Sequence, residues 1–124
     1  MKPITTQLVA FAHVADVERS IRFYADLGFT VGNSVAGEGG DGRIWAWLES
    51  GSAHLMVGRA DGPVDAGLQA VLFYLYCDDV EQARAALDAL GHRPGPIKRP
   101  FYMPAGEFRL LDPDGYVLMI AQSR

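Results

Sequence analysis

The feature that most restricts what this chain can fold into is that its pattern is written twice. Sliding the sequence along itself by 63 positions places Asp16-Val17-Glu18 on Asp79-Val80-Glu81, Leu27-Gly28 on Leu90-Gly91, Gly32 on Gly95, Leu48 on Leu111 and Leu55-Met56 on Leu118-Met119. Chance would supply roughly three to five identities over such an overlap. Nine occur, and they fall on residues that start and stop secondary structure. A fold built from two copies of one unit follows. The 124 residues have room for one domain, 1–124, with modules at about 4–60 and 67–124.

Each half reads as a strand, a helix and further strands. Val9 to Val14 and Val71 to Cys77 are apolar runs of strand length, and each leads to an Asp, Asp16 or Asp79, whose carboxylate can cap a helix. Glu18 and Glu81 sit in the first turn, where the helix dipole favours negative charge, and Asp79 with Gln82 has capping-box spacing. Val17, Ser20, Ile21, Tyr24 and Leu27 recur at helical spacing, as do Val80, Ala83, Leu87 and Leu90, so each helix has one stripe to lay on a sheet. Gly28 and Gly91 then stop the helices. In the first half a glycine-rich loop, Gly32 to Gly42, precedes a hairpin of Arg43 to Glu49 and His54 to Gly58, turning at Ser50-Gly51. In the second, a proline-rich segment, His92 to Gly106, precedes Glu107 to Leu111, the turn Asp112-Pro113-Asp114-Gly115 and the strand Tyr116 to Ala121. The expected class is α+β, two tandem β-α-β-β-β modules, with the second strand of each the weakest.

Several function classes drop out. A net charge of -4 with no run of like charges gives no nucleic-acid footprint. The apolar runs are too short to span a bilayer, and Met1 to Gln7 lacks the apolar core of a signal peptide, so a cytoplasmic protein is expected. The single cysteine, Cys77, can form neither an internal disulfide nor a thiolate zinc site. Gly37-Glu38-Gly39-Gly40-Asp41-Gly42 has dinucleotide-fingerprint spacing. The residues after it, Arg43 to Trp47, read as a strand rather than the helix whose N-terminus would hold a pyrophosphate. A mobile loop over a site is the preferred reading.

The doubled unit, the run Asp16-Val17-Glu18-Arg19-Ser20-Ile21-Arg22-Phe23-Tyr24 followed by Leu27-Gly28-Phe29, and the ending Glu107 to Tyr116 together resemble the vicinal oxygen chelate superfamily. That superfamily includes glyoxalase I, extradiol dioxygenases, fosfomycin-inactivating thiol transferases and bleomycin-resistance proteins. The resemblance implies a cup-like mixed sheet with helices outside, and metal ligands on the first and fourth strand of each module. Carried over, those positions are Val9, Met56, Leu72 and Met119. Hydrocarbon cannot ligate a metal, and thioether suits soft Cu(I) rather than the divalent ions of this chemistry. No metal and no cofactor are therefore expected. The resemblance further implies a homodimer, since relatives commonly join or swap modules between chains.

Strand alternation supplies the rest of the expected site. Val9 shares a face with Phe11 and His13, and Leu72 with Tyr74 and Tyr76. A tight turn at Ser50-Gly51 puts His54 and Met56 across from Trp45 and Trp47. The second hairpin likewise puts Met119 and Val117 across from Phe108 and Leu110. Arg99, Tyr102, Met103 and Glu107 enter the last hairpin, where bleomycin-resistance relatives form part of their cleft, and Tyr102 is included as a stacking or hydrogen-bonding residue. An aromatic-lined face of this kind suits a planar or hydrophobic small molecule, which the protein would sequester as bleomycin-resistance proteins do. The alternative is a metal-free lyase or isomerase with His54 as acid/base. The choice of faces depends on hairpin register, because a slip of one residue exchanges them.

Overall fold

The computed structural model describes residues 4–123, and they form two compact units divided after Val64. The first contains β1 (Ala10–Val14), α1 (Val17–Ala25), β2 (Thr30–Ala36), β3 (Arg43–Ser50) and β4 (Ala53–Arg59) in a sheet of order β1-β4-β3-β2. The second contains β5 (Leu72–Cys77), α2 (Val80–Ala89), β6 (Glu107–Leu111) and β7 (Val117–Gln122) in a sheet of order β5-β7-β6. Both sheets are mixed: β1 runs parallel to β4, β5 runs parallel to β7, and the remaining pairs are antiparallel. The class is α+β, as the repeat implied.

Both helices start as their sequences dictate. Asp16 and Asp79 are extended N-caps whose carboxylates accept the backbone N–H of Arg19 at 3.2 Å and of Gln82 at 3.0 Å. Helix α1 buries Val17, Ser20, Phe23 and Tyr24 on the first sheet, where Tyr24 meets Phe23 and Phe29 edge to face at 5.1 and 5.9 Å. Below it lie Ala12, Val14, Ala46, Leu48, Leu55 and Val57, the inward alternates of three strands. Helix α2 buries Val80 and Leu87 over Phe108, Leu110, Leu118 and Ile120. Each such Leu, Val or Phe contributes about 1.5–3 kcal/mol, so the two helix–sheet cores carry most of the stability.

The structure corrects the expected elements in three places. Residues 32–36 are not loop: they belong to β2, which pairs with β3 from Thr30↔Glu49 to Ala36↔Arg43 with irregularities at Gly32 and near Ala36. Gly32 is required at the first, since a Cβ there would lie 2.1 Å from Glu49 Oε1. In the second unit the counterpart of β2 shrinks to a single bridge, Lys98↔Glu107. Pro94, Pro96 and Pro100 lack the N–H a ladder needs, which keeps a strand from propagating there. The first hairpin turns on Gly51-Ser52, one residue later than expected, because Ser50 pairs with Ala53.

The glycine-rich loop is closed by Gly37 N–H donating to Gly42 O at 2.6 Å, and a strand follows it, as the rejection of a dinucleotide fingerprint required. Glu18 anchors its far end. Its Oε2 accepts the Arg43 backbone N–H and Nε, both at 2.9 Å, and its Oε1 accepts Nη2 at 3.0 Å. These bonds from Arg43 hold the Glu18 carboxyl below its ordinary value. A lowered folded value stabilises the fold above the ordinary carboxylate range, and that contribution disappears as pH falls through the folded value. Glu18→Gln is therefore expected to lower the melting temperature modestly at about pH 7, with the difference from wild type shrinking as pH falls through and below the ordinary carboxylate range. Thermal denaturation of both proteins across that range measures it; a constant difference would show that the pair is not the cause.

Candidate functional site

With one helix on one face of each sheet, the opposite faces keep their own side chains. In the first unit, β1 and β4 pair Phe11 with Met56 and His13 with Gly58, and β3 and β4 pair Trp47 with Met56 and Trp45 with Gly58. Phe11, His13, Trp45, Trp47, His54 and Met56 thus share the face turned away from α1. Phe11 is 46% exposed, and its ring lies over Gly58, where a Cβ would come within 2.4 Å of Cζ. Phe11 and His13 are tilted neighbours at 5.0 Å, and Trp47 and His54 at 5.1 Å. Glu49 Oε1 accepts the Trp47 Nε1 proton at 3.1 Å, which fixes the indole.

The His54 ring packs beside Trp47, and its Nδ1 is buried with no hydrogen-bond partner among the described residues. Burial pushes the Cys77 thiol above its ordinary value, which favours the protonated form.

In the second unit the uncovered face differs from expectation at two positions, Phe108 and Leu110, both of which are buried. Parallel pairing sets Tyr74 beside Met119 and Leu72 beside Val117, and antiparallel pairing sets Arg109, not Phe108, opposite Met119. Phe108 instead pairs with Ile120, is 1% exposed and belongs to the core under α2. The cause is the turn. Asp112 N–H donates to Tyr116 O at 3.0 Å, so the loop is three residues, Pro113-Asp114-Gly115, with Gly115 in the left-handed conformation at φ +86°. Asp112 Oδ1 accepts the backbone N–H of both Asp114 and Tyr116 at 2.9 Å. Tyr116 is drawn into the core beside Phe73, at 5.8 Å between stacked rings. The loop is one residue longer than a two-residue turn, so relative to β7 the residues of β6 change face and Phe108 and Leu110 turn inward.

Tyr74, Tyr76 and Tyr102 come together as the sequence reading proposed. They wall a groove of about 750 Å³ completed by Met103, Pro104, Ala105, Gln122 and Ser123. Tyr74 and Tyr76 stack at 6.1 Å and 23°. Tyr102 is carried by the loop before β6, and Arg99 holds that loop, donating from Nη1 to Ala105 O at 2.8 Å and from Nη2 to Glu81 Oε1 at 2.9 Å. Glu107, which the sequence placed only in the segment entering the last hairpin, gains its role from the fold. Buried at the start of β6, it accepts the hydroxyls of Tyr74 at 3.2 Å and Tyr102 at 3.4 Å. The sequence does not mark those partners, since a carboxylate between Gly106 and Phe108 reads equally well as a solvated strand end.

The donor positions implied by the resemblance do not fit a hard divalent ion. Met56 lies among Phe11 and Trp47, Met119 beside Tyr74, and Val9 and Leu72 are hydrocarbon. No group of three or more His, Cys, Asp or Glu could hold a metal among the described residues. No helix among them is long and apolar enough to cross a membrane.

Comparison with solved structures shows the same fold. A bleomycin-binding protein complexed with bleomycin superposes with a TM-score of 0.75 at 22% identity, covering 97% of this chain and 100% of that one. The antibiotic-binding protein TnmS3 of Streptomyces sp. CB03234 gives 0.74 at 23%, covering all of both chains. The bleomycin-binding protein of Streptomyces verticillus, complexed with copper(II)-bleomycin, gives 0.69 at 17%, covering 99% of this chain and 100% of that one. Among curated proteins no match is found. The family model for the Glyoxalase/Bleomycin resistance protein/Dioxygenase superfamily matches residues 7–120, and this chain belongs to that superfamily.

Proposed function

We propose that the protein binds a planar or hydrophobic small molecule, an antibiotic in the first instance, and sequesters it without a metal. The observation that carries this reading is the groove walled by Tyr74, Tyr76 and Tyr102. Its volume, about 750 Å³, falls in the range of small-molecule pockets. Tyr76 is 63% exposed, which is costly for a ring unless something covers it in use. Phe11, Trp45 and Trp47, with His13, His54 and Met56 beside them, offer a second aromatic surface for stacking. The names of the structurally similar proteins, which bind bleomycin or another antibiotic, support the same class of ligand. The two compact units are read as the two modules of a single domain. The unpaired sheet edges at β1, β2 and β5 support a homodimer that covers some of them, for which light scattering should give about twice 13.5 kDa and a monomer mass would count against it.

A screen of planar antibiotics and metabolites, read by Trp45 and Trp47 fluorescence and by calorimetry, tests the function directly. For a ligand so found, either Trp47→Ala, on the surface of the first unit, or Tyr76→Ala, in the groove of the second, is expected to weaken binding at least tenfold, about 1.4 kcal/mol, according to which of the two it uses. Met119→Leu should change affinity little, because volume and polarity nearly persist. Wild-type affinity in both aromatic variants would overturn the reading. Metal independence has its own measurement: elemental analysis should find no stoichiometric transition metal, and chelator should leave the melting temperature and the affinity unchanged. One bound Zn, Ni or Fe per chain would reverse that part of the reading.

A further inference from the structure

Glu107 is 4% exposed, and both of its carboxylate oxygens are engaged by neutral donors, the hydroxyls of Tyr74 and Tyr102. No cation pairs with it among the described residues. Lys98, its backbone bridge partner, and Arg109, two residues along the same strand, are both exposed and form no ion pair with it. Taking a carboxylate out of water costs several kcal/mol, and two neutral hydrogen bonds return only part of that. A cationic ligand can therefore supply the partner that the described residues do not give this acid.

The two phenols stand between this carboxylate and the groove they line. A phenol has one proton to donate, and here it is committed to Glu107, so each hydroxyl can offer a ligand only its lone pairs. Desolvation and the neighbouring charge hold the Tyr74 phenol above its ordinary value, so the proton stays on the oxygen at neutral pH. Donation to a carboxylate polarises the hydroxyl and strengthens it as an acceptor. Next to these acceptors, the nearly parallel rings of Tyr74 and Tyr76 present faces that attract positive charge. Acceptors without free donors, a buried anion and aromatic faces all ask for the same partner.

The geometry points to a planar aromatic ligand bearing a delocalised N–H cation, an amidinium or guanidinium, with the cation at the Tyr74 and Tyr102 hydroxyls above Glu107. This deepens the proposed function and rests on the tyrosine groove being a ligand site. Naphthalene-2-carboxamidine, naphthalene-2-carboxamide and naphthalene-2-carboxylate share one shape and differ in charge, which makes them suitable probes. Calorimetry with the full chain is expected to rank amidinium over amide over carboxylate, with at least tenfold between the first two. Glu107→Gln should reduce that tenfold ratio to less than twofold. Tyr76→Ala, at an exposed position that the fold tolerates, should weaken the amidinium and the amide by similar factors and preserve their ratio. Should Glu107→Gln fail to fold, the wild-type ranking and the Tyr76→Ala result still decide. Equal affinity for amidinium and amide, or a ratio that persists in Glu107→Gln, overturns cation selection and leaves aromatic binding standing. Amidinium binding untouched by Tyr76→Ala places the cation elsewhere and also overturns it. Absence of binding by all three probes at millimolar concentration overturns the cation site and the groove together.

Discussion

Each sheet in this protein is covered by one helix, and a helix can cover only one face. The inward alternates of the strands pack under α1 or α2 and supply the two cores, so the outward alternates are released from any structural duty. In an ordinary half-buried sheet those outward positions would be polar. Here they are Phe11, Trp45, Trp47, Tyr74 and Tyr76, and the aromatic surface is a direct consequence of which alternates the helices left uncovered.

Holding such rings in place without burying them needs polar anchors, and each unit uses a carboxylate. Glu49 takes the Trp47 indole proton in the first unit, and Glu107 takes two tyrosine protons in the second. Each acid grips the polar tip of an aromatic side chain, which reduces the conformational freedom of the ring. Glycine serves the same end. Gly58 and Gly32 leave room for the Phe11 ring and the Glu49 carboxylate, and any side chain at either position would displace them. Tyr102 reaches its acid from a loop rather than a strand, and the Arg99 guanidinium substitutes for the missing strand by tying that loop to Glu81.

The superfamily offers this scaffold for metal chemistry as well as for binding, and residue type at a few positions separates the two. Met56 and Met119 occupy equivalent places 63 residues apart, each flanked across its sheet by an aromatic ring. Thioether and hydrocarbon at those places turn a coordination site into apolar contact surface. His54 stands on the same face, its ring packed beside Trp47 and its inner nitrogen without a partner among the described residues.

The repeat, the caps at Asp16 and Asp79, the helix stops and the strand-length runs are all local, and each was legible because a few adjacent residues suffice to encode it. Register was not, because it is set by how a turn closes. The first hairpin closes one residue later than its sequence suggested at the turn, which shifts cross-strand partners by two and keeps Trp45, Trp47, His54 and Met56 on one face. The second adds one residue to its loop, shifts partners by one and sends Phe108 into the core. A strand alternates with period two, so an even shift is harmless and an odd one exchanges the faces. What decided the odd shift was tertiary: the Asp112 carboxylate accepting two backbone N–H groups, and Tyr116 stacking on Phe73, a residue 43 positions earlier in the chain. Glu107 became part of the site for the same kind of reason, since only folding brings Tyr74 and Tyr102 to its two oxygens. The sequence by itself determined the doubled unit, its helices and the aromatic composition of its strands; the tertiary structure decided which of those aromatics lie on the faces turned away from the helices and which acid stands behind them, because both depend on contacts between residues far apart in the chain.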